Sequence, residues 1–183
     1  MGIVICFDFD LTLTENHSGG YPNEVIDPED PNSPPYTAWN SIKGRESVKA
    51  MLITLKKNGF KTYIVSRGIQ QQINQYLSRE SLTSYFNGVM GAYDGDHLEA
   101  ENWANIKLDY IQKIAQRENV TLDKIIFFDD TQENIAVAKA AGVNALLVNP
   151  PTSTTTVSMV STMLETISFV MKNMCGQCGS LAM

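Results

Sequence analysis

Residues 3–12 read Ile3-Val4-Ile5-Cys6-Phe7-Asp8-Phe9-Asp10-Leu11-Thr12. An apolar run, residues 3–7, is followed by two acids, Asp8 and Asp10. A short, uncharged run rich in β-branched residues is typical of a buried strand, and the acids mark its carboxyl end. Two carboxylates at a strand end have two explanations. They can bind a ligand beyond the strand, or they can cap a helix and form a turn.

Strand-like and helix-like patterns alternate after this first strand. The predicted strands cover 60–65, 86–92, 124–128 and 145–148, and the predicted helices cover 45–57, 69–79, 104–117, 131–141 and 156–172. This alternation predicts an α/β fold with a mainly parallel central sheet and right-handed crossovers. With helices on both faces, the sheet would form a Rossmann-like three-layer α/β/α sandwich.

The composition limits the classes of function. The chain has 183 residues, 43% of them hydrophobic and 19% charged, which suits one domain with a packed core. Its net charge of −6 argues against an electrostatic nucleic-acid binder, because such a protein needs a basic surface. We see no signal peptide and no membrane-spanning segment, so we expect a cytoplasmic protein without stable membrane insertion.

Polar side chains end three predicted strands and open one predicted helix, in the order Asp8 with Asp10, Ser66, Lys107, and Asp129 with Asp130. Ligands bind beyond the carboxyl ends of the strands in open parallel sheets, so we expect these groups to converge. Carboxylates alone would repel a phosphate dianion. Mg²⁺ suits such acids, because it binds a few carboxylates together with waters and phosphate oxygens. A lysine and a hydroxyl can hold the remaining phosphate oxygens, so the set predicts phosphoryl transfer.

These motifs resemble those of the haloacid dehalogenase superfamily, in its branch of capless phosphatases with an aspartate nucleophile. The first motif, Asp-x-Asp-x-Thr/Val after an apolar strand, is matched by residues 8–12. The second is a Ser or Thr that ends the next core strand, matched by Ser66, and the third is a lysine that opens a helix, best matched by Lys107. The fourth is an acidic pair, matched by Asp129-Asp130, with Asn134 and Gly142 after it. The resemblance covers residues 3 to about 149.

The resemblance implies a role for each of these residues. Asp8 would attack phosphorus and form an aspartyl phosphate, while Asp10 would act first as an acid and then as a base. Both would face one phosphate, because residues two apart in a strand project to the same side. Mg²⁺ would be held by Asp8, the backbone carbonyl of Asp10 and Asp129, with Asp130 and Asn134 as further ligands or orienting groups. The phosphate would be bound by Ser66, Arg67 and Lys107.

Several of these assignments have purely structural alternatives. Ser66 can cap the helix that follows it, Lys107 can be a solvated helix residue, and Asp130 can be only a helix cap. At the level of the whole protein, a phosphotransferase is disfavoured because an open site does not exclude water. A non-catalytic interaction module would be expected to have lost Asp8 or Asp10, and both are present.

The gaps between the motifs are short for a cap domain. We therefore expect a single phosphatase domain, residues 1–172, without a separate cap, in which the proline-rich loop 15–44 is the main specificity element. Residues 173–183 would form a flexible tail. An open site suits a phosphate on a large partner, such as a phosphoprotein that carries phosphotyrosine, and a small metabolite is the alternative.

Some aromatic, histidine and cysteine residues have no assigned role. The loop aromatics can flank a phosphorylated tyrosine or only pack the loop on the domain, and packing is favoured. Cys175 and Cys178 have half of a zinc spacing, but a complete site usually needs four ligands, so they are interpreted as part of the tail. The residues concerned are Tyr21, Tyr36, Trp39, His17, His97, Cys175 and Cys178.

Overall fold

The computed structural model describes residues 2–14, 42–93, 102–148 and 156–175. Its elements follow one another as β1 (Val4–Phe7), α1 (Ile42–Lys57), β2 (Lys61–Ile69), α2 (Gln70–Arg79), β3 (Gly88–Ala92), α3 (Trp103–Glu118), β4 (Ile125–Asp129), α4 (Gln132–Ala140), β5 (Asn144–Leu147) and α5 (Thr156–Cys175). Short 3₁₀ turns at Thr83–Tyr85 and Leu122–Lys124 precede β3 and β4. Strands and helices thus alternate as the sequence predicts.

The strands form one parallel sheet in the order β3-β2-β1-β4-β5. The central strand is β1, whose Phe7 pairs with Ile64 of β2 on one side and with Phe128 of β4 on the other. Because the strands are parallel, the residues that follow β1, β2 and β4 meet at the same carboxyl edge. The predicted α/β class and parallel sheet are confirmed.

Helices cover both faces of the sheet, and β1 shows how its residues divide between them. Ile5 and Phe7 point into one apolar cluster, whereas Val4 and Cys6 point into the other, as expected for alternating strand residues. The first cluster contains apolar residues of α1, α2 and α5, and the second contains those of α3 and α4. Both faces are therefore buried, which gives the predicted three layers.

The element boundaries differ from the predicted ones at functionally relevant places. The second strand continues through Ser66, Arg67 and Gly68 to Ile69, with an irregular register between Val65 and Ile69. The helix α1 begins at Ile42, inside the predicted loop 15–44, and α5 continues to Cys175. From Ser66 to Lys107 the described residues form core elements, and no separate cap domain is found among them.

Several predictions fall on parts of the chain outside the described residues. They concern most of the specificity loop, residues 15–41, with its aromatic residues and His17, and also His97, Cys178 and the remainder of the tail. Among the helices of the described ranges, none combines the length and the apolar character needed to cross a membrane.

Candidate active site

Two aspartates come together where the adjacent strands β1 and β4 end. Asp8 directly follows β1, and its backbone N–H donates to the Phe128 carbonyl at 2.8 Å. Asp129 is the last residue of β4 and has no exposed surface. Phe7 and Phe128 are register partners, and an aspartate follows each of them along the chain. The two carboxyl groups therefore lie side by side.

Lys107 lies between these two carboxyl groups. It is on the first half of α3, and its Nζ is 2.9 Å from Asp8 Oδ1 and 2.7 Å from Asp129 Oδ2. The lysine side chain is only 2% exposed, so the ion pairs are shielded from water. A solvated helix residue is thereby excluded for Lys107, and the structure places it with the acids as predicted.

The carboxylate of Asp129 is held from two further directions. Asn134 Nδ2 donates to both of its oxygens, at 2.9 Å and 3.0 Å, and the Thr131 backbone N–H donates to Oδ1 at 2.8 Å. Asn134 is buried at the start of α4, where the chain turns back past the strand end. Because its amide nitrogen faces the carboxylate, Asn134 fixes the orientation of Asp129, and its predicted role toward a metal ion stays a prediction.

The acids at this edge also form a group that fits a hard cation. Asp8, Asp129 and Asp130 each offer one carboxylate oxygen, and these three oxygens lie within 4.8 Å of one another. Oxygen ligands of this kind suit Mg²⁺, which requires few protein carboxylates and completes its shell with water and phosphate. The donor set is therefore appropriate for the predicted metal, and it includes Asp130. The expected contact through the Asp10 backbone carbonyl stays a prediction.

Burial dominates the electrostatics of Asp8. Desolvation raises the pKa of its carboxyl group from the usual 3.8 to about 7, and the neighbouring Asp129 also raises it, whereas the Lys107 ammonium lowers it. The two acids in turn raise the pKa of Lys107 despite its burial, so the lysine stays charged. The site thus combines a permanent internal cation with a carboxylate whose charge is unfavourable until a further cation arrives.

This pKa of Asp8 makes the stability of the metal-free protein depend on pH. Between about pH 4 and pH 7 the folded state keeps a proton that the unfolded state has lost, so the free energy of unfolding should fall as pH rises. One such group contributes a slope of at most about 1.4 kcal/mol per pH unit. In urea unfolding experiments in EDTA, the free energy of unfolding of the wild type minus that of Asp8→Asn should fall as pH rises. A difference that rises with pH would contradict the raised pKa.

The structure corrects the predicted geometry of the Asp-x-Asp motif. The strand β1 ends at Phe7, so Asp10 is not a strand residue two positions from Asp8 but lies half-buried in the turn that follows. This turn includes Leu11 with a φ of 56°, a left-handed conformation that an L residue adopts only under constraint. If Asp10 faces the same ligand as Asp8, the conformation of this turn brings it there, and not the alternation of side chains along a strand.

Thr14 helps to hold this turn, and sequence reasoning did not identify it. Its hydroxyl accepts a hydrogen bond from the Leu11 backbone N–H at 3.1 Å and donates to the Phe9 carbonyl at 3.4 Å. A threonine three residues after a turn position is a known signal for such side chain–backbone bonds. Thr12 is also fully buried, and its hydroxyl has no hydrogen-bond partner among the described residues.

Ser66 lies in the irregular part of β2 and is 1% exposed. Its Oγ accepts a hydrogen bond from the Gly68 backbone N–H at 3.0 Å, so it stabilises the strand irregularity. The helix α2 has Ile69 at its N-cap and no side-chain cap bond, which excludes the helix-capping alternative for Ser66. The same segment is fixed from β3, because a Cβ on Gly91 would lie 2.5 Å from the Gly68 carbonyl oxygen.

Arg67 is exposed, unlike its neighbour Ser66, and contacts an aromatic ring that the sequence analysis overlooked. Its guanidinium carbon is 5.1 Å from the centre of the Trp103 ring, a cation–π distance. Trp103 is the first residue of α3 and stands four positions before Lys107, hence on the same helix face. That spacing was a signal for a residue adjacent to the site.

Residues 36–148 match the family of haloacid dehalogenase-like hydrolases. The match includes Ser66, Lys107 and the acidic pair Asp129-Asp130, and it begins after Asp8 and Asp10. No curated protein sequence matches the chain.

Solved structures of several bacterial proteins share the fold. A predicted phosphatase from Clostridium acetobutylicum is 19% identical, with a TM-score of 0.56 and coverage of 80% of this chain and 84% of that one. A haloacid dehalogenase-like hydrolase from Streptococcus pneumoniae is 15% identical, with a TM-score of 0.57 and coverage of 91% and 98%. The N-terminal part of a Bacteroides fragilis protein, which contains a phosphatase domain complexed with Mg, is 14% identical, with a TM-score of 0.61 and coverage of 89% and 40%.

Proposed function

The chain belongs to the haloacid dehalogenase-like hydrolase family, and on that premise we propose that it is a phosphatase that hydrolyses phosphate monoesters through an aspartyl phosphate at Asp8. The observation that carries this proposal is the buried contact of Lys107 Nζ with Asp8 Oδ1 and Asp129 Oδ2. At the carboxyl edge of the parallel sheet, the two carboxylates are complementary to a metal cation and the lysine ammonium is complementary to a phosphate anion.

In the proposed reaction Asp8 is the nucleophile. Its carboxylate oxygen forms a bond to phosphorus while the ester P–O bond breaks, and the leaving oxygen takes a proton from Asp10. Asp10 then accepts a proton from a water molecule, which attacks phosphorus. The bond between phosphorus and the Asp8 oxygen breaks, inorganic phosphate leaves, and both aspartates return to their initial state.

The other residues bind and orient. Lys107 lowers the pKa of Asp8 and thereby favours its ionised, reactive form. It also offers an N–H to a phosphate oxygen, and Ser66 offers its hydroxyl. Mg²⁺, held by Asp8, Asp129 and the Asp10 carbonyl with Asp130 beside them, would supply positive charge to the phosphate oxygens. Asn134 and the Thr131 backbone N–H keep Asp129 in position for that task.

The proposed substrate is a phosphate on a large molecule such as a phosphoprotein. The described residues between Ser66 and Lys107 belong to the core and place no separate domain over the carboxyl edge. A carboxyl edge without a cap domain would admit a phosphate that projects from a surface. The sequence of the loop 15–44 contains Tyr21, Tyr36 and Trp39, which could flank a phosphorylated tyrosine if they do not only pack the loop on the domain. On that basis we expect aryl phosphates to be better substrates than small aliphatic ones.

Hydrolysis of p-nitrophenyl phosphate tests the proposed activity. The purified protein should release p-nitrophenol in Mg²⁺ and lose this activity in EDTA, because three acids and a phosphate repel one another without a divalent cation. Activity should return when Mg²⁺ is restored. Added alcohols should not yield phosphorylated alcohol, since a phosphotransferase would form it. Absence of hydrolysis across aryl, nucleotide and sugar phosphates in Mg²⁺ would contradict the proposal.

A further inference from the structure

The side chain of Arg67 lies over the ring of Trp103. Its guanidinium carbon is 5.1 Å from the centre of the Trp103 ring, although Arg67 itself is exposed. An aromatic face holds a guanidinium in a plane while its N–H groups remain able to donate at the edges. The pair therefore presents an oriented, charged hydrogen-bond donor to the solvent.

The Arg67–Trp103 pair lies outward from the acidic site. Because α3 follows β3 and leads into the parallel strand β4, it begins at the carboxyl edge of the sheet. Lys107 reaches Asp8 from this helix, and Trp103 is one turn closer to its beginning, about 6 Å further out. On the other side, Arg67 directly follows the buried Ser66.

Among the described residues, no carboxylate neutralises the charge of Arg67. Lys107 is engaged with Asp8 and Asp129, whereas Arg67 has no carboxylate partner within the four ranges that the structure describes. A guanidinium matches the geometry of carboxylates and phosphates, to which it donates two parallel hydrogen bonds. Asp8 and Asp129 are paired with Lys107, and an anionic group of the substrate would be a suitable partner for Arg67.

We propose that Arg67, held in place by Trp103, binds a second anionic group of the substrate, a carboxylate or a second phosphate next to the ester that is hydrolysed. Arg67 is then a specificity-determining residue, and Trp103 is a positioning residue that acts through it. This inference rests on the proposed phosphatase function and narrows its substrate class to phosphate esters that carry a neighbouring anion.

A matched pair of substrates tests the inference. Glycerol 3-phosphate and 3-phosphoglycerate differ in one carboxylate, and kcat/KM should be about tenfold higher for the carboxylated ester, as expected for one charge-assisted bidentate contact. Arg67→Met should abolish this ratio and Arg67→Lys should retain part of it, because lysine keeps the charge without the planar fork. Trp103→Leu should reduce the ratio through a higher KM for the carboxylated ester, with kcat little changed.

Lys61→Met is the matched control, since Lys61 is exposed at the opposite end of the same strand and its loss changes the net charge equally. It should leave the ratio as in the wild type. The inference is overturned if the wild type shows no preference for the carboxylated ester. It is also overturned if the ratio persists in Arg67→Met, whether or not the unfolding temperature of that variant falls.

Binding separates this inference from the proposed activity. In Asp8→Asn the ester cannot be cleaved through Asp8, and calorimetric titration in Mg²⁺ should still give about tenfold tighter binding of 3-phosphoglycerate, lost on adding Arg67→Met. Binding with this preference but no hydrolysis by the wild type would support the role of Arg67 and contradict the phosphatase. Equal binding of both esters, or of neither, would overturn the role of Arg67 whatever the activity.

Discussion

Asp8→Asn is expected to lower kcat for p-nitrophenyl phosphate by about 10⁴-fold or more, because the amide cannot form the aspartyl phosphate. The change keeps the shape of the side chain and its place next to Lys107, so the protein should stay folded. Residual turnover would come from bound Mg²⁺ and phosphate-binding groups acting on water. The measurement is steady-state kinetics in saturating Mg²⁺, together with acid-quenched trapping of radiolabelled phosphate on the wild-type protein.

Asp109→Asn provides the control for this prediction. Asp109 is an exposed acid on α3, two positions from Lys107 but on the solvent side of the helix. The Asp109→Asn protein should have wild-type kcat and KM. That result would show that the loss of activity in Asp8→Asn is not a general effect of removing one negative charge. Trapping of label on the Asp8→Asn protein, or kcat within tenfold of the wild type, would remove Asp8 from the role of nucleophile.

Lys107→Met is expected to have the largest effect on stability. It replaces a buried ammonium, 2.9 Å from Asp8 Oδ1 and 2.7 Å from Asp129 Oδ2, by an apolar side chain of similar length. Two buried carboxyl groups then face each other without their cation, which should cost about 3–5 kcal/mol in metal-free protein. The pKa of Asp8 should rise further, because Lys107 makes the largest contribution that lowers it.

Mg²⁺ should recover much of this loss, since it brings positive charge to the same carboxyl groups. The unfolding temperature of Lys107→Met should therefore increase more on addition of Mg²⁺ than that of the wild type, while kcat/KM stays about 10²-fold or more below it for want of a phosphate contact. Lys113→Met, on the exposed side of α3 next to the Tyr110 ring, should cost at most about 1 kcal/mol. Equal stability of Lys107→Met and wild type in EDTA would refute the structural role of the ion pairs.

Periodicity and strand-end chemistry were sufficient to predict the sheet and the central members of the site. The alternation of apolar runs and amphipathic segments defined all five strands, because burial on both faces imposes continuous apolar runs on a parallel sheet. Asp8, Lys107 and Asp129 could be brought together from sequence because parallel strands end at one edge, and α3 starts there.

Local backbone geometry was not predictable in the same way. Asp10 was expected to project beside Asp8 as strand residues two apart do, although the predicted strand itself covered residues 3–8. The left-handed Leu11 and the hydrogen bonds of Thr14 place Asp10 in a turn, and such turns depend on contacts rather than on hydrophobic pattern. The extension of β2 beyond Ser66 depends on how closely Gly91 approaches Gly68, which is a property of two strands. Arg67 lies in β2 and Trp103 begins α3, so the sequence around either residue does not predict their contact.

The central position of β1 has a consequence for when the candidate site is assembled during synthesis. Among the five strands of the sheet, the one that leads to Asp8 is made first, yet Val4 finds its register partners only at Lys61 and, much later, at Ile125. Pairings so distant along the chain form slowly, because a long segment must be ordered before they are gained. Asp8 therefore emerges from the ribosome before β2 and β4 but cannot be aligned with Asp129 until β4 has emerged, so we expect ribosome-bound chains that end before β4 to lack the proposed activity.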